Sequence, residues 1–115
     1  KVSVMFTPHL IPMFRGILST IYVDTLGNIN AHKIYNFLKK YHKNNFFIRF
    51  AKFNTTVSTQ DVMNTNLCKI SVCENKEKNK VIIISVIDNL IKGASGQAVQ
   101  NMNIAFNLKE TLALK

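Results

Sequence analysis

Residues 80–87 have the sequence Lys-Val-Ile-Ile-Ile-Ser-Val-Ile. β-Branched aliphatic side chains occupy both odd and even positions here, so both faces of an extended strand would be apolar. Such a strand is typical of the buried centre of a sheet. The sequence therefore predicts that residues 80–87 form the most deeply buried strand of the fold.

Four other segments are predicted strands. Residues 2–7 and 68–73 alternate apolar and polar side chains, which indicates strands with one solvated face, and Pro8 ends the first of them. Residues 46–53 are rich in aromatic and β-branched side chains, and residues 17–23 return as a further strand.

Two helices complete the predicted elements. The first begins after Asn30, its predicted N-cap, and has an apolar face at helical spacing made of Ile34, Phe37, Leu38 and Tyr41. The second covers about 94–108, with an apolar stripe of Val99, Met102 and Phe106. Together the elements predict an α+β fold: a mixed, largely antiparallel sheet of about five strands with helices on one face.

The composition indicates one globular domain. The chain has 115 residues, 47% hydrophobic and 18% charged, enough for one core and too few for two domains. No apolar run is long enough to span a bilayer. The sequence opens at Lys1 with an alternating segment and without an initiator Met, so we expect a fragment of a cytoplasmic protein.

The two cysteines, Cys68 and Cys73, are too few for a disulfide framework or a zinc site, so no metal is expected. Both fall in or at the edge of a predicted strand, where packing explains them better than a nucleophilic role.

The net charge of +9 raises the question of nucleic acid or a membrane surface as a partner. Of the 15 basic residues only two are Arg, and the lysines are spread along the chain. Phosphate-reading surfaces more often use Arg, which binds phosphate bidentately. We therefore expect neither nucleic acid nor a membrane as partner.

The first segment with functional signals is the loop 8–16, which two prolines stiffen and which presents His9 and Arg15. A rigid loop loses little entropy when it binds a ligand, and Arg15 could hold a phosphate or carboxylate through two parallel hydrogen bonds. The alternative is that Arg15 forms a surface ion pair and His9 bonds to backbone.

The second segment is 88–101, where a buried strand leads into a helix through a glycine-rich turn. Backbone N–H groups at a helix N-terminus favour anions, and Lys92 adds a positive charge. The stretch 93–96, Gly-Ala-Ser-Gly, lacks the third glycine and the second strand of a dinucleotide fingerprint. Small residues that let a helix pack closely are the alternative explanation.

Both segments resemble blocks of the N-acetyl-γ-glutamyl-phosphate reductase family. The matching stretches are Phe6-Thr7-Pro8-His9-Leu10-Ile11-Pro12-Met13, Arg15-Gly16-Ile17-Leu18, Asn66-Leu67-Cys68, Asp88-Asn89-Leu90, Lys92-Gly93-Ala94, the run from Gly96 to Asn103, and Glu110-Thr111. The likeness therefore extends over nearly the whole chain.

The resemblance implies reduction of N-acetyl-γ-glutamyl phosphate to the semialdehyde in arginine biosynthesis. In that family a cysteine thiolate attacks the acyl phosphate and expels inorganic phosphate, and NADPH then reduces the thioester. The family enzyme has an amino-terminal nucleotide domain, which binds most of the NADP, and a second domain resembling the C-terminal domain of glyceraldehyde-3-phosphate dehydrogenase. The implied assembly is a homo-oligomer, dimer or tetramer, formed through the sheet.

On this resemblance, residues 1–93 are part of the substrate-binding and dimerisation domain, and the helix 94–108 returns to the nucleotide domain. The implied substrate-binding residues are Arg15, Lys92 and His9, with the acyl phosphate as ligand. The implied cofactor-binding residues are Asn89, Gly93, Ala94 and Gln97.

The chain departs from the family in its catalytic parts. It contains no Pro-Gly-Cys triplet, the context of the family's nucleophile, and no nucleotide loop. We expect the family's catalytic histidine upstream of Lys1, so no catalytic residue is assigned here and the chain alone is expected to be inactive. Phe14 stands where the family more usually has Thr, which affects local geometry.

Two alternatives stay open. Asp88-Asn89-Leu90, Lys92-Gly93-Ala94 and the following Ala98-Val99-Gln100 are also similar to aspartate-semialdehyde dehydrogenase, so the chain could be the dimerisation or substrate domain of such an enzyme. Without enzymatic activity, it would be a basic interaction or pairing module.

Overall fold

The centre of the fold is a four-stranded mixed sheet, seen in a computed structural model that describes residues 3–77 and 79–115. Its strands are β1 (Ile17–Asp24), β2 (Ile48–Phe50), β3 (Cys68–Glu74) and β4 (Lys80–Ile87), in the spatial order β1-β4-β3-β2. β4 pairs antiparallel with both β1 and β3, whereas β2 runs parallel to β3. The predicted α+β class with a mixed sheet is confirmed, with four strands in place of five.

β4 lies inside the sheet, as its two apolar faces predict. Val81 and Val86 are 2% and 0% exposed, and the residues between them are half-buried. Ser71 and Val72 of β3 are buried as fully, so the two inner strands share the core between them.

The core is divided between the two faces of the sheet because successive strand side chains point to opposite sides. On one face, Val72, Val81 and Ile83 pack against the helix α1 (Ala31–Tyr41) and Phe53. On the other face, Val86 and Ile84 pack against the loop that joins β2 to β3. The residues of this second cluster are Ala51, Val57, Val62 and Leu67.

α1 begins where the sequence predicts it. The side chain of Asn30 accepts a hydrogen bond of 2.9 Å from the backbone N–H of Lys33, which is the N-cap geometry. Ile34 and Leu38 face the sheet, but Phe37 and Tyr41 are 66% and 71% exposed, so their predicted burial is wrong. The buried arc is shifted towards Ala31 and Tyr35, which turns Phe37 and Tyr41 outward.

The strand predicted at residues 2–7 is absent from the part of it that the structure describes, residues 3–7. Lys1 and Val2 lie outside the described residues, and 3–10 have no regular structure and are exposed. Val4, Met5 and Phe6 are 79%, 95% and 84% exposed. A strand needs a neighbour for its backbone hydrogen bonds, and the sheet does not extend to this segment. Similarly, the strand predicted at 46–53 is only three residues long.

The second predicted helix has two parts. A π-helical turn, Ile91–Ser95, continues into α2 (Gly96–Ala105). Its predicted apolar stripe is wrong in part, since Met102 and Phe106 are 47% and 73% exposed. The buried residues of α2 are Gly96 and Asn103, because polar contacts hold this helix in place. Asn103 donates hydrogen bonds to the backbone carbonyls of Glu110 and Leu112.

Gly96 allows a close approach that any larger residue would prevent. A Cβ at this position would lie 2.4 Å from Oδ1 of Asn66 and 2.6 Å from Cγ2 of Ile91. At Gly93, three residues earlier, the nearest atom to such a Cβ is 3.5 Å away, an ordinary contact.

We predict that Gly96→Ala lowers the free energy of unfolding by about 1–3 kcal/mol, because the added methyl group overpacks the site. Gly93→Ala is the matched control and should be neutral or slightly stabilising, since Ala restricts the unfolded chain. Urea denaturation of both variants gives the two values. Equal midpoints would contradict the close packing at Gly96.

Candidate functional site

The site is organised around Asp88, which follows β4 directly and is 1% exposed. Its carboxylate accepts backbone N–H hydrogen bonds from Asn64 at 2.8 Å, Leu90 at 2.9 Å and Ile91 at 3.2 Å. It also accepts a hydrogen bond of 3.3 Å from Nη2 of Arg15. A buried carboxylate is stable only when it is paired and hydrogen-bonded in this way.

The electrostatics of Asp88 favour its charged form. Burial raises the pKa of this carboxyl, but the three backbone hydrogen bonds and the positive charge of Arg15 together outweigh burial. The pKa of Asp88 is therefore below its usual value, and the group stays ionised in the folded protein.

Arg15 makes an ion pair with Asp88, with Nε 3.2 Å from Oδ2, and its side chain is 31% exposed. Its Nη1 donates a hydrogen bond of 2.6 Å to Oδ1 of Asn64. The ion pair foreseen as the alternative to ligand binding therefore exists, although its acceptor is a buried carboxylate. A partly exposed guanidinium held in this way can still face a ligand.

A second contact joins the two segments that the sequence singled out. The backbone N–H of Gly16 donates a hydrogen bond of 2.7 Å to the side chain of Asn89. Gly16 has a φ of +112°, which favours glycine, and a Cβ there would lie 2.6 Å from Cβ of Thr59. The proline-containing loop and the turn after β4 therefore meet at the end of the sheet.

A surface cavity of about 240 Å³ opens beside Arg15. It is lined by Met13, Phe14, Arg15, Thr59, Gln60 and Met63. These residues come from the loop 8–16 and from the 3₁₀ turn Thr59–Val62 with the residue after it. An anion that entered this cavity would meet one positive charge, that of Arg15.

Lys92 lies in a different set of contacts. Its ammonium donates a hydrogen bond of 2.6 Å to Oε1 of Gln100 and stands 5.4 Å from the ring centre of Phe47. Gln100 also accepts from Asn66 and donates to Glu110. Lys92 is not among the residues that line the cavity beside Arg15, so the structure does not bring these two cations into one pocket.

The other predicted site residues lie on the surface. His9 is exposed in the extended segment before Gly16. Gly93 and Ala94 are exposed in the π-helical turn, and Gln97 is exposed in the first turn of α2, where it accepts a hydrogen bond from Asn101. Asn89 is half-buried and engaged with Gly16.

Sequence reasoning gave no functional role to the segment between β2 and β3, and so missed Asn64. This residue has a φ of +63°, which Asn tolerates better than most residues, and it holds both Arg15 and Asp88. One local signal was available: Ser58 and Asp61 form a capping box, whose spacing predicts the start of a helical turn. The contacts of Asn64 itself leave no such local signature.

Cys68 and Cys73 are half-buried in β3, and the Cys68 thiol lies 3.4 Å from the Ser85 hydroxyl. Across 3–77 and 79–115, no three His, Cys, Asp or Glu side chains cluster as metal ligands. Among the helices of the same residues, none combines the length and apolarity needed to cross a bilayer.

A comparison with known families identifies the family of this chain. The family described as semialdehyde dehydrogenase, dimerisation domain, matches residues 1–89. The chain belongs to this semialdehyde dehydrogenase family. The matched region ends within the turn that follows β4, and α2 lies after it.

Curated relatives agree with the resemblance seen in the sequence. The chain is 47% identical to the N-acetyl-γ-glutamyl-phosphate reductase of Thermoanaerobacter pseudethanolicus over 99% of its length. It is 50% identical to that of Vesicomyosocius okutanii over its whole length, and 44% identical to that of Staphylococcus aureus over 99%. It spans 33%, 32% and 33% of these relatives, about one third.

Solved structures confirm the fold class. Aspartate semialdehyde dehydrogenase II of Vibrio cholerae, complexed with ASA, aligns with a TM-score of 0.65 and 20% identity over 84% of this chain and 29% of that one. A second structure of the same enzyme gives a TM-score of 0.66. At this identity the likeness shows the fold alone.

The ionised state of Asp88 gives a pH-dependent prediction. Its folded pKa is below the unfolded value of 3.8, so its contribution to stability is present above that pH and is lost as the pH falls through the folded pKa. The difference in unfolding free energy between the wild type and Asp88→Asn should therefore be largest near neutral pH and shrink in acid. Urea titrations from about pH 2 to pH 7 measure it, and a constant difference would contradict the assignment.

Proposed function

We propose that this chain is the substrate-binding and subunit-pairing part of a cytoplasmic NADP-dependent reductase acting on N-acetyl-γ-glutamyl phosphate. The observation that carries the proposal is that the loop 8–16 and the turn after β4, which both resemble the reductase family in sequence, meet at one end of the sheet. There, Arg15 is held by Asp88, and Gly16 is held by Asn89. Identity of 43–50% to reductases of this name supports the choice of substrate over an aspartate-semialdehyde relative.

In this proposal Arg15 binds the phosphoryl group of the substrate. A partly exposed guanidinium beside a cavity of about 240 Å³ offers a positive charge to an anion of this size. The charge on the phosphate increases as it leaves, and a fixed cation stabilises that change. The cysteine that attacks the acyl carbon belongs to the rest of the reductase.

Lys92 would act from the other side of the turn after β4. Its ammonium is held by Gln100 and lies over the ring of Phe47, and in this proposal it acts as a second cation, for the substrate carboxylate. His9, exposed before Gly16, would contribute a further polar contact.

Most of the proposed cofactor-binding residues are accessible to a dinucleotide. Gly93, Ala94 and Gln97 are all exposed, and the first two carry no side chain or a small one, so this surface is open to a flat polar group. Bound NADPH supplies the hydride. Asn89, which accepts a hydrogen bond from Gly16, would hold this surface and the loop 8–16 in a fixed relative position.

We further propose that subunits pair through the sheet as a homo-oligomer. β1 carries exposed apolar side chains on both of its faces: Leu18 is 49% exposed, Ile21 45% and Tyr22 70%. Contiguous exposed apolar side chains of this kind mark association surfaces. The dimerisation-domain family supports the same reading.

The role of Arg15 is tested in the full-length reductase. Arg15→Ala should raise KM for the acyl phosphate at least about tenfold and change KM for NADPH less than twofold, because Arg15 is proposed to contact the phosphoryl group and not the cofactor. Initial-rate kinetics with each substrate varied in turn provide both values. Equal effects on the two KM values would remove the basis for assigning Arg15 to the phosphate.

Pairing through the sheet is tested with the double variant Leu18→Lys and Tyr22→Lys. Two positive charges on the same face of β1 should shift the oligomer towards smaller species in light scattering after gel filtration. Phe37→Lys is the control, since Phe37 is equally apolar and 66% exposed but lies on α1. If Phe37→Lys dissociated the oligomer and the double variant did not, the interface would lie on α1.

A further inference from the structure

We infer that Asp88 and Asn64 are positioning residues that orient the Arg15 guanidinium towards the cavity beside it. This inference rests on the proposed role of Arg15 in binding the phosphoryl group. Neither Asp88 nor Asn64 is assigned any contact with the substrate. Both act through Arg15.

The number of N–H donors on Arg15 supports the inference. A guanidinium carries five N–H groups in a fixed plane. Nη1 uses one on Asn64, Nη2 uses one on Asp88, and Nε stands 3.2 Å from the same carboxylate. One N–H on each terminal nitrogen remains outside these contacts, so Arg15 keeps two donors for the oxygens of a phosphate.

The two acceptors are themselves rigid. Asp88 is fully buried and fixed by three backbone N–H groups. Asn64 has its backbone N–H on Asp88 and its side-chain oxygen on Arg15, so a single residue joins the carboxylate to the guanidinium. A cation held in advance loses less conformational entropy when the anion arrives, and the binding of that anion is tighter.

A substitution at Asn64 can remove one of the two acceptors of Arg15 while the fold is retained. Its φ of +63° suits glycine, so Asn64→Gly keeps the backbone and its N–H to Asp88 while deleting the side-chain oxygen. Asn79 is the matched control: it has a φ of +67° and lies at the opposite end of β4, roughly 30 Å from Asp88 at about 3.3 Å per residue. Both substitutions add the same freedom to the unfolded chain.

In the full-length reductase, Asn64→Gly should raise KM for the acyl phosphate and the inhibition constant of inorganic phosphate by about five- to tenfold. Both kcat and KM for NADPH should change less than twofold. Asn79→Gly should leave all four constants unchanged. Asn64→Asp, which keeps an acceptor oxygen, should restore most of the phosphate affinity. A residue that only supported the fold would instead lower the unfolding midpoint and kcat together.

The outcomes separate this inference from the proposed function. If Asn64→Gly matches Asn79→Gly in every constant while Arg15→Ala raises KM for the acyl phosphate, the positioning role is refuted and the role of Arg15 stands. If Arg15→Ala also leaves that KM unchanged, the proposed phosphate contact itself is refuted. Asp88→Asn, where it folds, should weaken phosphate inhibition at least as much as Asn64→Gly, and a smaller effect would count against Asp88.

Discussion

The carboxylate of Asp88 is the constraint on which this end of the molecule depends. A buried, unpaired charge would cost several kcal/mol, so the chain must bring hydrogen-bond donors to it. It does so with the backbone of the turn after β4, the backbone of Asn64 and the side chain of Arg15. Each of these donors also fixes a segment of the site, which means that the same charge organises both the turn and the loop beside the cavity.

Sheet register explains why such distant segments can meet there. Ile17 is paired with Ile87, and Cys68 is paired with the same residue from the other side. Gly16 therefore stands next to Asp88 and Asn89, and the loop that ends before Cys68 lies at the same edge. The geometry of the site follows from antiparallel pairing, although 73 residues separate Arg15 from Asp88 along the chain.

The parts of the fold that the sequence predicted are those with a local signature. The strands at 17–23, 68–73 and 80–87 show their periodicity within one segment, and α1 shows both its N-cap and its spacing. The contacts of Asn64 with Asp88 and of Gly96 with Asn66 join residues far apart along the chain, so no short window of sequence contains them. The segment 2–7 shows the converse error, because alternation indicates a strand only when a neighbouring strand is available to pair with it.

The distribution of apolar surface connects stability to the proposed assembly. Within residues 3–77 and 79–115, eight apolar residues are buried, and seven of them belong to the two clusters on opposite faces of the sheet. Far more apolar side chains are exposed, and many belong to the segment 4–14 and to β1. Apolar surface that stays in water does not contribute the stabilisation of about 25 cal/mol per Å² that its burial would give. Subunit pairing over β1 would recover part of that energy, and it would do so on the strand that begins one residue after Gly16. The proposed interface and Arg15 are therefore adjacent along the chain, so subunit pairing over β1 would also restrain the loop that carries Arg15.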